Sequence, residues 1–203
     1  LSFWYRVASD DPTGDRAYVL LRDASYTYRT LGTLDLSAPD WTHASFDTSA
    51  YLGQLVAVRL TAVNDGAGGT TAVYVDDASW AACGGTEPWP APTPTATPLP
   101  TATATPTPTV QTGGCAEGLG DGGFEAGDAW TILDTAYRAA YVEQPVHSGG
   151  RALRLGIAEG ADVLSYSSAE QAVTIPAQAS AARLSFWVYR ATADREGDVQ
   201  YLL

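Results

Sequence analysis

The chain has 203 residues and carries 23 acidic against 11 basic side chains, a net charge of −12 with a pI near 4.3. An excess of this sign works against nucleic acid and anionic membranes, whose phosphates want cations, and no apolar run approaches the 18 or so residues of a membrane span. Every cation is Arg, and neither Lys nor Met occurs. The missing Met fits a window taken from a longer chain, so the missing signal peptide carries no information. The single Asn, Asn64, precedes Asp65-Gly66, so no N-glycosylation sequon exists.

In chain order, Leu1, Phe3, Tyr5 and Val7 alternate with Ser2, Trp4 and Arg6, the period of two that marks a strand. A turn cluster, Asp10 to Gly14, follows. Asp47 to Leu52 gives at most one helical turn. Strands are predicted over Gln54–Val63 and Thr71–Asp76, separated by the Gly-rich turn Asn64–Gly69.

Residues 86–114 differ in kind. They hold eight of the chain's 12 prolines and ten threonines, with no charge between Glu87 and Glu117. Proline fixes φ and removes amide donors, so this segment favours polyproline II, a semi-rigid spacer of roughly 80 Å when extended. Thr flanked by Pro and Ala is the pattern of an O-glycosylated stalk. The candidate acceptors are Thr93, Thr95, Thr97, Thr101, Thr103, Thr105, Thr107 and Thr109, with an undecorated hinge as the alternative. Trp89, between two prolines, is expected to pack the spacer onto a sandwich surface.

Beyond the spacer, strands are predicted at Leu153–Ile157, Ala172–Ile175 and Leu184–Val188, with a turn at His147–Gly150. The last of these repeats the first. Leu1-Ser2-Phe3-Trp4 returns as Leu184-Ser185-Phe186-Trp187, and Gly14-Asp15-Arg16-Ala17-Tyr18-Val19-Leu20-Leu21 as Gly197-Asp198-Val199-Gln200-Tyr201-Leu202-Leu203. Such a recurrence is left by two copies of one domain cut at the same place. The expected fold is all-β, an antiparallel sandwich of short strands. Residues 1–86 are the C-terminal half of one unit, 87–114 the extended Thr/Pro linker, and 115–203 the N-terminal half of the next. Since both halves offer the same strand, they are not expected to form one sandwich together.

Placed in domain order, the second half opens Gly122-Gly123-Phe124-Glu125-Ala126-Gly127-Asp128-Ala129-Trp130 and continues through His147-Ser148-Gly149-Gly150-Arg151-Ala152-Leu153; the first half closes Tyr74-Val75-Asp76-Asp77. This resembles the extracellular jelly-roll of the carbohydrate-binding-module and MAM-like (galactose-binding-like) type, in tandem with Thr/Pro-rich linkers. The resemblance implies a jelly-roll in which the first and last strands lie side by side and hold a structural Ca²⁺. It carries that site onto Glu125 with Asp76 or Asp77, completed by main-chain oxygens near residues 148–151. The alternative is that these carboxylates cap backbone amides or pair with Arg151.

Cys83 follows the closing strand and Cys115 precedes the opening one. Two cysteines in a secreted-looking chain suggest one disulfide. It either closes a loop across the linker or, as adjacent jelly-roll termini favour, ties the ends of one domain across copies. Trp4 and Trp187 are candidates for glycan stacking, although core or interface packing suits them as well. No catalytic motif occurs: His43 and His147 stand alone, and Asp10-Asp11 and Asp76-Asp77 have poor geometry for acid/base work. The expected function is a non-enzymatic structural repeat of a secreted, O-glycosylated cell-surface or extracellular fibre, with neighbouring copies of itself and O-linked glycans as partners. The alternative is a carbohydrate-binding module, its partner a polysaccharide, tethered by a glycosylated linker to a secreted enzyme or adhesin.

Overall fold

The computed structural model describes residues 2–9, 14–37, 40–84 and 114–190, with side chains for 14–37, 40–84 and 114–184. Twelve strands and one 3₁₀ turn make up its regular structure, with no α-helix among the described residues. The strands are β1 (Ser2–Ser9), β2 (Arg16–Arg22), β3 (Tyr28–Thr33), β4 (Thr42–Asp47), β5 (Leu55–Asp65), β6 (Thr71–Cys83), β7 (Cys115–Glu117), β8 (Thr131–Ile132), β9 (Ala140–Val142), β10 (Ala152–Gly156), β11 (Leu164–Thr174) and β12 (Ala181–Arg190). The turn, Ser49–Tyr51, falls inside the single helical turn expected at Asp47–Leu52.

Two sheets enclose one core. One runs β3-β2-β5-β11-β8; the other holds β1, β4, β12, β6, β10 and β9, with β7 on β6. The period of two in the sequence is what buries them. Val56, Val58, Leu60 and Ala62 of β5 and Ala17, Val19 and Leu21 of β2 face inward, meeting Val73, Val75, Trp80, Leu153, Leu155 and Leu184 from the other sheet. Trp80 is wholly buried, and its indole N–H donates to Thr48 Oγ1 at 3.0 Å, so the large side chain enters the core with its polar atom satisfied. Thr48 Oγ1 donates in turn to the Ala182 carbonyl at 2.8 Å.

The two segments flanking the spacer, expected to stay apart, share both sheets. β5 and β11 are antiparallel over eleven register positions, from Asp65↔Leu164 to Leu55↔Thr174. β6 takes β10 and β7 from the second segment as well. Complementary edges and complementary apolar faces suffice to bring the segments together, whatever strand they hold in duplicate.

Contrary to the expectation drawn from the duplicated strand, both copies of it lie in one sheet. Around Val73–Val75, β6 is in register with three strands: β10 (Leu155 to Leu153), β1 (Val7 to Tyr5) and β12 (Arg190 to Val188). A strand has two edges. β10 holds one of them, so β1 and β12 claim the other. Their registers coincide in detail, because Tyr5 and Val188 both answer Val75, and Phe3 and Phe186 both answer Ala44 of β4.

β6 runs past the Asp76 at which a strand is predicted to stop, because it continues through a bulge. Ser79 and Asp76 answer Ser185 and Trp187, so β6 carries one extra residue there, and Asp77 adopts φ 49°. Asp tolerates this left-handed conformation better than most residues. The bulge turns Ala78 N toward the Gly122 carbonyl, 2.8 Å away. A Cβ on Gly122 would stand 1.9 Å from the Ala78 carbonyl oxygen, whereas one on Gly123 would meet nothing nearer than 3.8 Å. Gly122→Ala is therefore expected to cost about 2–4 kcal/mol in denaturant unfolding, with Gly123→Ala within about 0.5 kcal/mol of the parent; equal costs at the two positions would remove the close-approach argument.

Candidate functional site

The residues the resemblance pointed to do converge, on the loop of residues 147–151. The bulge of β6 points Asp76 and Asp77 at its beginning. Asp76 Oδ2 accepts from His147 N at 2.8 Å and Ser148 N at 3.2 Å, while Oδ1 accepts from Asp77 N at 2.8 Å. Asp77 Oδ2 lies 2.7 Å from His147 Nδ1, and its Oδ1 accepts from Ser148 Oγ at 2.7 Å. Glu125 grips the far end, where Oε1 accepts from Gly150 N at 2.8 Å and Arg151 N at 3.2 Å. The His147 ring packs edge-on against Trp41, centroids 5.4 Å apart. His147 thus belongs to the site, in the hydrogen-bonding role its turn suggests.

Glu125 can reach the loop because the opening turn is tightly wound. Asp121 and Phe124 have φ 47° and 59°, and Phe124 N donates to the Asp121 carbonyl at 3.1 Å. Asp121 caps the next turn by accepting from Ala126 N and Gly127 N. Phe124 itself is fully buried against Trp130, so the aromatic pair anchors the turn that presents Glu125.

Calcium wants six to eight oxygens around it. Here the loop offers N–H and O–H donors to the three carboxylates, so as it stands the donor set does not fit that ion. No group of three or more His, Cys, Asp or Glu suited to a metal occurs among the described residues. Amide capping describes Asp76 and Glu125, whereas Asp77 meets the His147 ring and the Ser148 hydroxyl. Arg151 joins through Nη1, which donates to the Glu125 carbonyl at 3.4 Å.

Asp76 is fully buried. That burial pushes its carboxyl up to about 6, against the backbone N–H groups of His147, Ser148 and Asp77, which favour the charged form. A raised carboxyl binds a proton more readily in the folded than in the unfolded chain. Its stabilising contribution is complete below the unfolded value near 3.8 and is lost as pH climbs through about 6.

Cys83 and Cys115 are register partners on β6 and β7 and are bonded to each other. The bond closes a loop across the linker within one chain, the first of the two expected pairings, and not the pairing across copies that adjacent jelly-roll termini favoured. Trp4 and Trp187 have their backbones in β1 and β12, opposite His43 and Asp76; their side chains lie outside the described residues. Thr93, Thr95, Thr97, Thr101, Thr103, Thr105, Thr107, Thr109 and Trp89 also lie outside them.

The outer face of the five-stranded sheet carries a cluster that sequence reasoning missed. Glu170 accepts from Arg22 at 2.9 Å through Oε1 and from Arg59 at 2.7 Å through Oε2. Burial alone would raise the Glu170 carboxyl, but hydrogen bonds from Arg59 and Arg22 hold it below the usual range. Tyr26 and Tyr28 lie under the guanidinium groups of Arg22 and Arg59, at 4.7 and 4.4 Å. Thr61 and Ser168 share a hydroxyl hydrogen bond of 3.0 Å beside them, and Tyr166 stands 55% exposed. Residues 111 and 148 positions apart meet here through strand register alone.

No family model, curated protein or solved structure matches the chain.

Two measurements follow from the clamp. With both Asp76 oxygens and Glu125 Oε1 accepting from amides and both Asp77 oxygens held by the His147 and Ser148 side chains, excess EDTA is expected to leave the melting temperature unchanged; a fall of more than about 5 °C, on the order of 2 kcal/mol, would show that calcium displaces them. Between pH 4 and 7 the parent is expected to lose stability relative to Asp76→Asn, by up to about 3 kcal/mol for a two-unit shift. Parallel pH profiles would overturn the assignment.

Proposed function

We propose that the chain is a non-enzymatic structural repeat of a secreted, O-glycosylated cell-surface or extracellular fibre, in which jelly-roll sandwiches are strung on Thr/Pro spacers. The observation that carries this is the duplicated strand. Leu-Ser-Phe-Trp stands at residues 1–4 and 184–187, while β6 offers it one edge. Although this chain's two segments share one sandwich, we read the second copy of a strand that one sandwich can use once as belonging to a neighbouring unit. The boundaries stay at 1–86 and 115–203, with 87–114 as the spacer, and the partners are neighbouring copies of the same unit.

The disulfide and the absence of free cysteine among the described residues suit an oxidising setting. Sugars on Thr93, Thr95, Thr97, Thr101, Thr103, Thr105, Thr107 and Thr109 would stiffen a segment whose composition favours polyproline II, a conformation without internal hydrogen bonds. Mass spectrometry of the spacer peptide from the native source is expected to show added hexose or N-acetylhexosamine on these threonines. A peptide of unmodified mass would end this part of the reading.

The Tyr26, Tyr28, Arg22, Arg59 and Glu170 face favours a second reading, a carbohydrate-binding module. Exposed rings beside fixed donors and acceptors are what a sugar chain stacks and hydrogen-bonds to. Retardation of the protein in gels cast with soluble polysaccharide, lost in Tyr28→Ala, would move the balance toward it.

A further inference from the structure

We propose that the groove between β4 and β6 is a single strand seat, that β1 and β12 are alternative occupants of it, and that the strand left over is a donor for the same seat in a second copy of this chain. The inference deepens the repeat reading by naming how units join, and it stands on backbone register alone.

Both walls of the seat come from the first segment. β4 supplies Thr42–Ser45, which answer Tyr5–Ser2, and β6 supplies Thr71–Val75, which answer Ser9–Tyr5. β12 uses the same walls: Phe186 answers Ala44, and Val188, Tyr189 and Arg190 answer Val75, Tyr74 and Val73. The two strands also run parallel to each other with like residues opposed, Ser2↔Ser185 and Phe3↔Phe186. Equivalent residues therefore compete position by position, with neither copy shifted onto new partners.

The unseated copy is a strand with apolar alternation and unpaired amides and carbonyls, the kind of edge that pairs with another chain. What it fits is already defined. A β4–β6 groove of a second copy, emptied of its own occupant, offers the same register and the same bulge.

Proline in the strand removes a ladder donor and distorts the backbone. Tyr5→Pro and Val188→Pro strike the two strands at the position that answers Val75. Each single variant is expected to melt within about 3 °C of the parent, because the intact copy takes the seat. The double variant should fall by roughly 6–12 °C or fail to fold. One single variant falling as far as the double, or two losses that simply add, would overturn the single seat.

Donation is read separately. Chains carrying Ala44→Cys are mixed with chains carrying Phe3→Cys or Phe186→Cys at roughly millimolar concentration, the effective concentration that intrachain seating must be challenged with. Oxidation should then link chains pairwise in both mixtures, with Ser9→Cys, which faces Thr71, giving none. Absence of linked dimers would overturn donation, whatever the spacer glycans show about the fibre reading.

Discussion

A β-strand has two edges, and nearly everything in this protein depends on how β6 uses them. It is thirteen residues long and runs from Thr71 at one end of the sandwich to the disulfide at Cys83. Its inward residues Val73, Val75 and Trp80 are fully buried, so its register is fixed by the core and cannot slip without turning those side chains outward. With register fixed, whatever lies beside it is fixed too: β10 on one side, β7 at the end, and a single position on the other side for a strand that the chain carries twice.

The bulge at Asp77 links that central strand to the polar chemistry. Without the extra residue, Asp76 and Asp77 would alternate across the sheet and could not both serve one loop. With it, one bulge inside β6 supplies acceptors to the main chain of His147 and Ser148 and to the His147 and Ser148 side chains. The pattern recurs along the chain. Glu117 accepts from the amides of Trp80, Gly118 and Leu119, Asp121 from those of Ala126 and Gly127, Asp23 from those of Ser25 and Thr27, and Asp15 from that of Asp65. In the turns and at strand ends many amides find no ladder partner, and carboxylates supply what the sheets do not. Much of the acidity that could suggest a bound cation is thus employed in holding loops.

The parts of this architecture legible in the sequence were those with strict alternation and burial on one face. Val56, Val58, Leu60 and Ala62 announce β5, and Leu153 and Leu155 announce β10. β3 and β4 gave no such sign, because none of their residues is fully buried and their side chains mix aromatic, charged and small. β6 was read short because two adjacent aspartates look like a strand's end, whereas a bulge lets them stand inside one. Glu125, Asp76 and Asp77 could be grouped through a resemblance, but a carboxylate accepts an N–H as readily as it ligates calcium, so sequence could not decide their partner. The Arg22–Glu170–Arg59 cluster had no signature at all, since only the pairing of β2, β5 and β11 brings those residues together.

The spacer supplies a further physical tension. Its composition favours an extended polyproline II rod, yet Cys83 and Cys115, which bracket it, are bonded neighbours on β6 and β7. When both cysteines belong to one sandwich of one chain, a stiff segment must leave and return to the same point. When the sandwich is completed by a neighbouring unit, the same bond ties opening to closing strand and the spacer runs on, extended, to the next. The first arrangement is the one in which β5 pairs β11 and β6 pairs β10 within one chain; the second is the arrangement proposed for the repeat, and it would let a stiff spacer and both copies of the strand each find a place. A repeat built the second way would gain length from its prolines and cohesion from its sheets.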